Sequence, residues 1–371
     1  MKPATPSTVQ ARTLLGQMKP YSPGKPIWEV QRELGLTDVV KLASNENALG
    51  PSPLAVTAIT MALGELHRYP DAHAFDLRQA LSAKLDVAPE QLIVTNGGDE
   101  LITLLSEAYL EAGDEVIVPE HTFTEYEFGA QLMGAVVRKV PLQPGFEYDW
   151  NSIAAAVTDR TKLIYLCTPN NPTGTYMPKP DLLKLLAALP PQVLVILDSA
   201  YTHFASADDY TDGLELVREG YPVLVLQTFS KIYGLAGIRV GFGVGPQELI
   251  RSILQVKEPF NVNALAQTAA IAALGDEEHV RRSRELVLRE RDRLYAGLRG
   301  LGVSFTESMS NFILVELGPE AKQRYERLMA SGVIVRYGGG WGLPEHVRVS
   351  IGLSEENDRL LEALQLVLSE A

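Results

Sequence analysis

Cysteine is almost absent from this chain of 371 residues, which contains one, Cys167. A single cysteine excludes a disulfide within the chain and suits a reducing compartment. Long apolar runs are also missing. The N-terminal sequence Met-Lys-Pro-Ala-Thr-Pro-Ser has no apolar segment typical of a signal peptide, and no run approaches the length that spans a membrane. We therefore expect a cytoplasmic protein that makes no membrane contact.

Positive charge is scarce as well. Lysine and arginine total 33 against 46 aspartates and glutamates, so the net charge is −13. Such an acidic chain lacks the basic surface with which proteins bind nucleic acids, and we expect no nucleic-acid partner. The arginine-rich stretch at 277–298 alternates with acidic residues, which is typical of a solvated helix. An anionic substrate would therefore need locally concentrated arginines.

Apolar strand candidates alternate with helical patterns through the first two thirds of the chain. The strand candidates lie at residues 91–95, 115–118, 135–140, 162–167, 193–197, 223–226 and 238–244, and clear helical patterns lie at 54–66, 100–110, 181–189 and 247–256. Continuous apolar strands separated by helices predict an α/β fold, in which helices flank a mainly parallel sheet of seven strands.

The pattern changes near residue 265. Shorter strand candidates at 303–306, 312–316, 333–337 and 347–351 are interspersed with helical segments, which is typical of a smaller α+β domain. The length of the chain also favours two domains. We therefore predict a large α/β domain at residues 41–264. A second unit would combine an N-terminal arm, residues 1–40, with residues 265–371.

Polar residues follow several of the predicted strands, where ligands of parallel sheets bind. The Asn-Gly-Gly-Asp-Glu motif at 96–100 opens a helix whose free N–H groups favour a phosphate, although a plain turn is an alternative. Phe123 follows the second strand and Asn171 the fourth. Asp198 ends the fifth, where an unpaired carboxylate costs several kcal/mol to bury. Asp198 is therefore either functional or a helix N-cap.

The sixth strand runs into Thr228, Ser230 and Lys231, and Arg239 follows after a glycine-containing turn. A lysine at the end of an apolar strand loses its proton easily, which makes Lys231 a candidate for a Schiff base with a carbonyl compound. The hydroxyls and the arginine would suit a phosphate beside it. Pyridoxal phosphate (PLP) requires this combination. The alternative is a lysine whose amine extends into water.

Two further arginines, Arg336 and Arg348, border strands of the smaller domain and have apolar neighbours. Guanidinium groups placed in this way could bind an anionic group through paired hydrogen bonds. Arginines on an edge strand that face water are the alternative. The loop at 338–342 between them is rich in glycine and contains Trp341.

Together these features resemble the fold type I PLP-dependent aminotransferases, and within that class the histidinol-phosphate aminotransferase family. The motifs that carry the resemblance are Pro-Tyr-Ser-Pro-Gly at 20–24, Ser-Asn-Glu-Asn at 44–47, Arg-Tyr-Pro-Asp at 68–71, the turn at 96–100, Asn-Asn-Pro-Thr-Gly at 170–174, Thr-Phe-Ser-Lys at 228–231 with Gly-Leu-Ala-Gly-Ile-Arg at 234–239, Val-Ile-Val-Arg at 333–336, and Val-Arg-Val-Ser-Ile-Gly at 347–352. They run in order over nearly the whole chain.

The resemblance implies roles for individual residues. Lys231 would hold PLP and move the substrate proton, Asp198 would keep the pyridine nitrogen protonated, and Tyr201 would hydrogen-bond the ring oxygen. Asn171 would share that oxygen, and Phe123 would stack on the ring. The residues implied for the cofactor phosphate are Gly98, Asp99, Thr228, Ser230 and Arg239. No metal site is implied.

The resemblance also implies a homodimer with shared active sites. Tyr69 would reach the cofactor phosphate bound by the partner subunit, and Tyr21 would line the partner's substrate pocket. Within its own subunit, Asn171 would contact the substrate together with Arg336 and Arg348.

The expected amino donor is histidinol phosphate and the expected 2-oxo acid is 2-oxoglutarate. An aromatic-amino-acid aminotransferase and an amino-acid phosphate decarboxylase of the same fold are the alternatives, and intact Lys231, Asp198 and Arg239 argue against a protein that only binds ligands. Two features depart from the family pattern. Ser199 stands where relatives commonly carry glutamate, and the loop at 338–342 with Trp341 has no counterpart that we can match. The loop bears on substrate identity, because it adjoins the two arginines.

Overall fold

The computed structural model describes residues 9–16, 18 and 24–369. The helices within these ranges are α1 (Ile27–Leu34), α2 (Pro53–Ala62), α3 (Phe75–Leu85), α4 (Gly98–Tyr109), α5 (Glu125–Leu132), α6 (Trp150–Ala155), α7 (Lys179–Ala188), α8 (Leu214–Arg218), α9 (Gln247–Leu254), α10 (Ala264–Leu274), α11 (Glu277–Gly300), α12 (Ala321–Ala330) and α13 (Ser354–Ser369). The strands are β1 (Val40–Lys41), β2 (Leu92–Thr95), β3 (Glu115–Pro119), β4 (Val136–Val140), β5 (Thr161–Cys167), β6 (Leu194–Asp198), β7 (Val223–Thr228), β8 (Gly241–Val244), β9 (Phe305–Thr306), β10 (Phe312–Glu316), β11 (Val333–Ile334), β12 (Arg336–Tyr337) and β13 (His346–Ser350).

Seven strands form the central sheet in the order β2-β8-β7-β6-β5-β3-β4. Strand β8 runs antiparallel to both of its neighbours, and the other pairs are parallel. The predicted α/β fold with a mainly parallel seven-stranded sheet is therefore confirmed. The register places Asp198 beside Cys167 on one side and Leu226 on the other.

The central strands are apolar throughout because both faces of the sheet are covered. In β6, Val195 and Leu197 belong to one buried cluster, whereas Leu194 and Ile196 belong to the cluster on the opposite face. Successive side chains of a strand point to opposite faces, so two apolar layers require an uninterrupted apolar strand. This is why these segments could be identified from the sequence.

The remaining strands form two smaller sheets. A four-stranded antiparallel sheet has the order β12-β13-β10-β9, and β1 pairs in parallel with β11. The single strand expected at 333–337 is therefore wrong: it is divided between the two sheets. Arg336 faces Arg348 across the β12–β13 pair. No helix among the described residues is both long and apolar enough to cross a lipid bilayer.

Candidate active site

A cavity of about 550 Å³ lies beyond the carboxyl ends of β5, β6 and β7, and its wall extends to β12 and β13. The predicted residues along its wall are Gly98, Asp99, Phe123, Asn171, Asp198, Tyr201, Thr228, Ser230, Lys231, Arg239, Arg336 and Arg348. They come from distant parts of the chain, and the fold brings them to one place. Residues 43–46, in the loop after β1, close the wall between the two larger sheets.

Lys231 is the third residue after the end of β7, and it lines this cavity. Its Nζ donates to the backbone oxygen of Ser44 at 3.4 Å and lies 5.5 Å from the centroid of the Tyr201 ring. Burial, assisted by the positive charge of Arg348, lowers the pKa of Lys231 from 10.5 to about 8. The neutral, nucleophilic amine is therefore accessible near physiological pH.

Asp198 is buried at the end of β6 and accepts two hydrogen bonds. The hydroxyl of Tyr126 donates to its Oδ2, and the backbone N–H of Ala200 donates to its Oδ1 at 3.1 Å. Burial raises the pKa of Asp198 from 3.8 to about 6, and the bond from Tyr126 opposes that rise. The N-cap of the short 3₁₀ helix that follows, Thr202–Phe204, is Tyr201. Asp198 is therefore not the cap of that helix, and it can present a carboxylate to the cavity.

Tyr201 is held by a residue that we did not predict. Its hydroxyl accepts a hydrogen bond from Nδ2 of Asn45 at 3.0 Å, and Asn45 accepts one from Ser350 at 2.9 Å. Burial raises the pKa of Tyr201, so its hydroxyl stays protonated. Since Asn45 is already the donor in their contact, the proton of the Tyr201 hydroxyl can be directed toward a ligand oxygen.

Asn171 and Arg348 contact each other at the cavity wall. Nη1 of Arg348 donates to Oδ1 of Asn171, and Nη2 donates to the backbone oxygen of Ala43 at 2.6 Å. Only 6% of Arg348 is exposed. The alternative of a water-facing edge arginine is therefore wrong for Arg348, whose guanidinium is directed inward by polar partners.

The turn between β2 and α4 forms a narrow cradle with Arg239. Nη2 of Arg239 donates to Oδ2 of Asp99 at 3.1 Å. A Cβ at Gly97, where φ is 84°, would lie 2.5 Å from that guanidinium, and a Cβ at Gly241 would lie 2.9 Å from the carbonyl carbon of Gly97. The glycines thus allow the guanidinium and the start of α4 to converge, and such a place favours a phosphate.

Two hydroxyls complete this cradle on the β7 side. Thr228 donates to Oγ of Ser230 at 3.0 Å and accepts from the backbone N–H of Ser230 at 3.1 Å. Both residues line the cavity beside Lys231. The cradle therefore combines hydroxyls, backbone N–H groups and a guanidinium, which fits the phosphate group of PLP.

Aromatic rings border the cavity at two places. Phe123 packs edge-on against Tyr126 with centroids 5.6 Å apart, so the ring expected to stack on the cofactor does line the site. Trp341 contacts both arginines that are expected to bind the substrate. The centroid of its ring lies 5.0 Å from Cζ of Arg348 and 5.9 Å from Cζ of Arg336. Trp341 thus adjoins Arg336 and Arg348, as its place in the sequence suggested.

Two predicted residues are not brought into this site. Tyr69 is 84% exposed, stacks on Phe260 with centroids 4.9 Å apart, and is not among the described residues that line the cavity. Its assignment across a dimer interface stays a prediction. Tyr21 lies outside the described residues.

Sequence reasoning missed Tyr126 and Asn45 as supports of the site. Tyr126 lies on α5 and stacks on the buried Tyr165, as an ordinary core aromatic does. No local pattern distinguishes it, because its bond to Asp198 spans 72 positions. Asn45 belongs to the Ser-Asn-Glu-Asn motif, which could have drawn attention to it.

Comparison with known proteins agrees with this arrangement. The family model for aminotransferase class I and II matches residues 37–364. The chain belongs to this family. A histidinol-phosphate aminotransferase from Moorella thermoacetica is 48% identical to it over 97% of this chain and 93% of that protein. The predicted membership of a PLP-type aminotransferase family is thereby confirmed.

Solved structures of aminotransferases share the fold. The histidinol-phosphate aminotransferase of Sinorhizobium meliloti, solved in complex with pyridoxal-5'-phosphate, has a TM-score of 0.90 at 28% identity and covers 99% of this chain and 100% of its own. The aspartate aminotransferase of Thermus thermophilus with maleate has a TM-score of 0.85 at 28% identity, over 97% and 100% of the two chains. Both likenesses extend over the large and the small sheets.

Proposed function

We propose that this protein is a PLP-dependent aminotransferase that transfers the amino group of histidinol phosphate to 2-oxoglutarate. The products would be imidazole acetol phosphate and glutamate, a step of histidine biosynthesis. The observation that carries this proposal is the cavity that brings the amine of Lys231 and the buried carboxylate of Asp198 together with Arg336 and Arg348. The name of the 48% identical relative supports the substrate, and the PLP complex from Sinorhizobium meliloti supports the cofactor.

The cavity wall offers a partner for each part of PLP. Lys231 would hold its carbonyl carbon, Asp198 its pyridine nitrogen, and Tyr201 with Asn171 its ring oxygen, while Phe123 would cover the ring face. The residues proposed for its phosphate are Gly98, Asp99, Thr228, Ser230 and Arg239. When bound, PLP supplies an electron sink for the substrate α-carbon.

The protein's own groups would manage the proton and the charges. Lys231 would move the proton between the substrate α-carbon and the carbonyl carbon of PLP, its neutral amine taking the proton and its ammonium then giving it up. A pKa of about 8 suits this role near neutral pH. The pKa of Asp198 is about 6, so its carboxylate is mostly ionised at pH 7 and favours a positive charge beside it. Tyr126 helps to keep Asp198 ionised by donating to its Oδ2.

Arg336 and Arg348 would select the substrate. Histidinol phosphate has no α-carboxylate, so both guanidiniums can be directed at its phosphate. In the second half-reaction the same two guanidiniums would bind the carboxylates of 2-oxoglutarate and glutamate. In an aromatic-amino-acid aminotransferase, by contrast, Arg348 would bind the α-carboxylate and Arg336 would have a lesser role.

A panel of amino donors assayed with 2-oxoglutarate tests this function. We expect histidinol phosphate to give the highest kcat/KM among histidinol phosphate, phenylalanine, tyrosine and threonine phosphate. A wide preference for phenylalanine or tyrosine would instead establish the aromatic alternative. Release of carbon dioxide from threonine phosphate would establish the decarboxylase.

Replacing Arg336 by alanine should damage histidinol phosphate turnover selectively. A charge-assisted contact contributes about 1.5–3 kcal/mol, so kcat/KM for histidinol phosphate should fall by roughly two orders of magnitude. The kcat/KM for phenylalanine, which reports only the first half-reaction, should change far less, because its side chain is uncharged. Arg324→Ala is the matched control: Arg324 lies on α12 and is not among the described residues that line the cavity. Equal losses with both donors would contradict the assignment of Arg336.

The setting of the enzyme is part of the proposal. We propose that it is cytoplasmic and homodimeric, with Tyr69 and Tyr21 contributed to the partner's site. We also propose that residues 41–264 form the PLP-binding domain, and that residues 1–40 and 265–371 form the second unit. The seven-stranded sheet, within 92–244, and the four-stranded sheet, within 305–350, support this division.

A further inference from the structure

Trp341 lines the cavity and contacts both arginines that are expected to bind the substrate. Its ring centroid lies 5.0 Å from Cζ of Arg348 and 5.9 Å from Cζ of Arg336. A guanidinium within about 6 Å of an indole is attracted by the ring's electron-rich face, and more strongly where water is partly excluded. One side chain therefore interacts with the two cationic groups assigned to the substrate.

The backbone of Trp341 is fixed from two sides. Its carbonyl oxygen accepts a hydrogen bond from Nδ1 of His121 at 2.7 Å, which ties it to the loop after β3. Trp341 ends the 3₁₀ turn Gly338–Trp341, where Gly338 has no room for a Cβ beside the backbone oxygens of Leu343 and His346. The indole is therefore presented by a firmly placed turn.

Long side chains such as arginine lose rotamer freedom when they bind an anion, and a surface that orders them beforehand lowers that loss. The indole is such a surface for Arg336 and Arg348, because it contacts both and its own backbone is held. The amine of Lys231 is held elsewhere, by the backbone oxygen of Ser44 and beside the ring of Tyr201. The effect of Trp341 should therefore fall on substrate binding and not on proton transfer at the α-carbon.

We propose that Trp341 is a positioning residue that orders Arg336 and Arg348 toward the anionic end of the substrate and so favours amino donors that carry a phosphate. This inference rests on the proposed function. It assigns a role to the loop at 338–342, the part of the sequence that matched no family pattern.

The test compares histidinol phosphate with histidinol, which lacks the phosphate, in Trp341→Leu and Trp341→Phe. Trp341→Leu should raise KM for histidinol phosphate about tenfold and change its kcat less than about twofold, since proton transfer is untouched. The kcat/KM ratio of histidinol phosphate to histidinol should fall by the same factor. Trp341→Phe keeps an aromatic face and should restore most of the ratio.

Trp150→Leu is the matched control. Trp150, on α6, is another half-buried tryptophan near a cation, 5.9 Å from Nζ of Lys184, and it is not among the described residues that line the cavity. It should leave the donor ratio unchanged. If Trp341→Leu does not fold, the same comparison is made with Trp341→Met, a second apolar replacement.

An unchanged ratio in the folded leucine or methionine variant would overturn the proposal. So would an equal loss with both donors, since a purely structural role predicts that result. A wild-type enzyme with no activity toward histidinol phosphate would instead refute the proposed function. In that case the KM for 2-oxoglutarate tests the positioning role. A rise of about tenfold in Trp341→Leu, with none in Trp150→Leu, supports it. An unchanged KM in Trp341→Leu overturns it.

Discussion

At the scale of single residues, burial shifts Lys231 and Asp198 in opposite directions, and both shifts suit the same chemistry. A pKa of about 8 in place of 10.5 raises the neutral fraction of Lys231 at pH 7 by more than two orders of magnitude. Burial alone would also protonate Asp198, but the hydrogen bonds from Tyr126 and the backbone of Ala200 keep its pKa at about 6. The site thus holds a reactive amine and an ionised carboxylate at one pH.

The pKa of Lys231 leads to a prediction about the cofactor-free enzyme. Only the neutral amine attacks a carbonyl, so labelling of Lys231 by formaldehyde and a hydride reductant should rise with pH through a midpoint near 8. The readout is peptide mass spectrometry. Lys179 is the internal control: its hydrogen bond to Glu215 raises its pKa above 10.5, so its labelling should still rise well above pH 8.

Treatment with PLP and then a hydride should place the cofactor on the Lys231 peptide and protect this lysine from the first label. Cofactor found on a different lysine would refute the assignment.

The sequence identified residues whose chemistry depends on local position, and it missed those that act across long distances. Lys231, Asp198 and Asn171 each follow an apolar strand, so the rule for ligand sites in parallel sheets found them. Tyr126 and Asn45 support them through bonds that span 72 and 156 positions. Such partners depend on strand order and helix placement, which short-range patterns do not encode.

At the scale of elements, strands buried on both faces were the easiest to predict. The segment at 312–316 coincides with β10, and the expected strands at 115–118 and 223–226 extend by one or two residues into β3 and β7. The segment at 333–337 misled us because apolarity does not show which strand is the partner. Its first residues pair with β1, whereas Arg336 and Tyr337 pair with β13. Arg336, which follows this break, lines the cavity.

The close approach of β8 to the β2–α4 turn gives a prediction for Gly241→Ala. A Cβ at Gly241 would lie 2.9 Å from the carbonyl carbon of Gly97 and 3.0 Å from the backbone nitrogen of Gly98. Since backbone atoms cannot move aside cheaply, the variant should lose about 1–3 kcal/mol of stability. It should also bind PLP at least about tenfold more weakly, because the phosphate cradle is displaced.

Thermal denaturation of the apoprotein and titration with PLP measure these two effects. Gly300→Ala is the control, because a Cβ at this last position of α11 would meet no atom of the described residues within 4 Å. An alanine at Gly241 that leaves both Tm and PLP affinity unchanged would show that the cradle is more adaptable than its packing suggests.

At the scale of the whole molecule, the residue expected to act in a second subunit is one of several exposed apolar side chains in and between α2, α3 and α10. Tyr69 is 84% exposed and Phe260 44%, and their rings stack on each other. Met61, at the end of α2, is 82% exposed, and Phe75, at the start of α3, is 59% exposed. Large apolar side chains exposed to this degree favour an interface with another chain when they form one patch. These side chains support the proposed dimer.

Sharing of the active site between subunits predicts complementation. In a mixed dimer of Lys231→Ala and Tyr69→Ala chains, one site has an intact Lys231 and receives an intact Tyr69 from its partner. Random mixing should therefore restore about a quarter of the wild-type activity, since half of the dimers are mixed and each contains one complete site. If Tyr69 served its own subunit, each site of the mixed dimer would lack one residue and activity would stay low.

Lys231→Ala mixed with Asp198→Ala is the control, because these two residues line the cavity of one chain and no complete site can form. Two affinity tags report the fraction of mixed dimers, so low activity at full subunit exchange would rule out sharing through Tyr69.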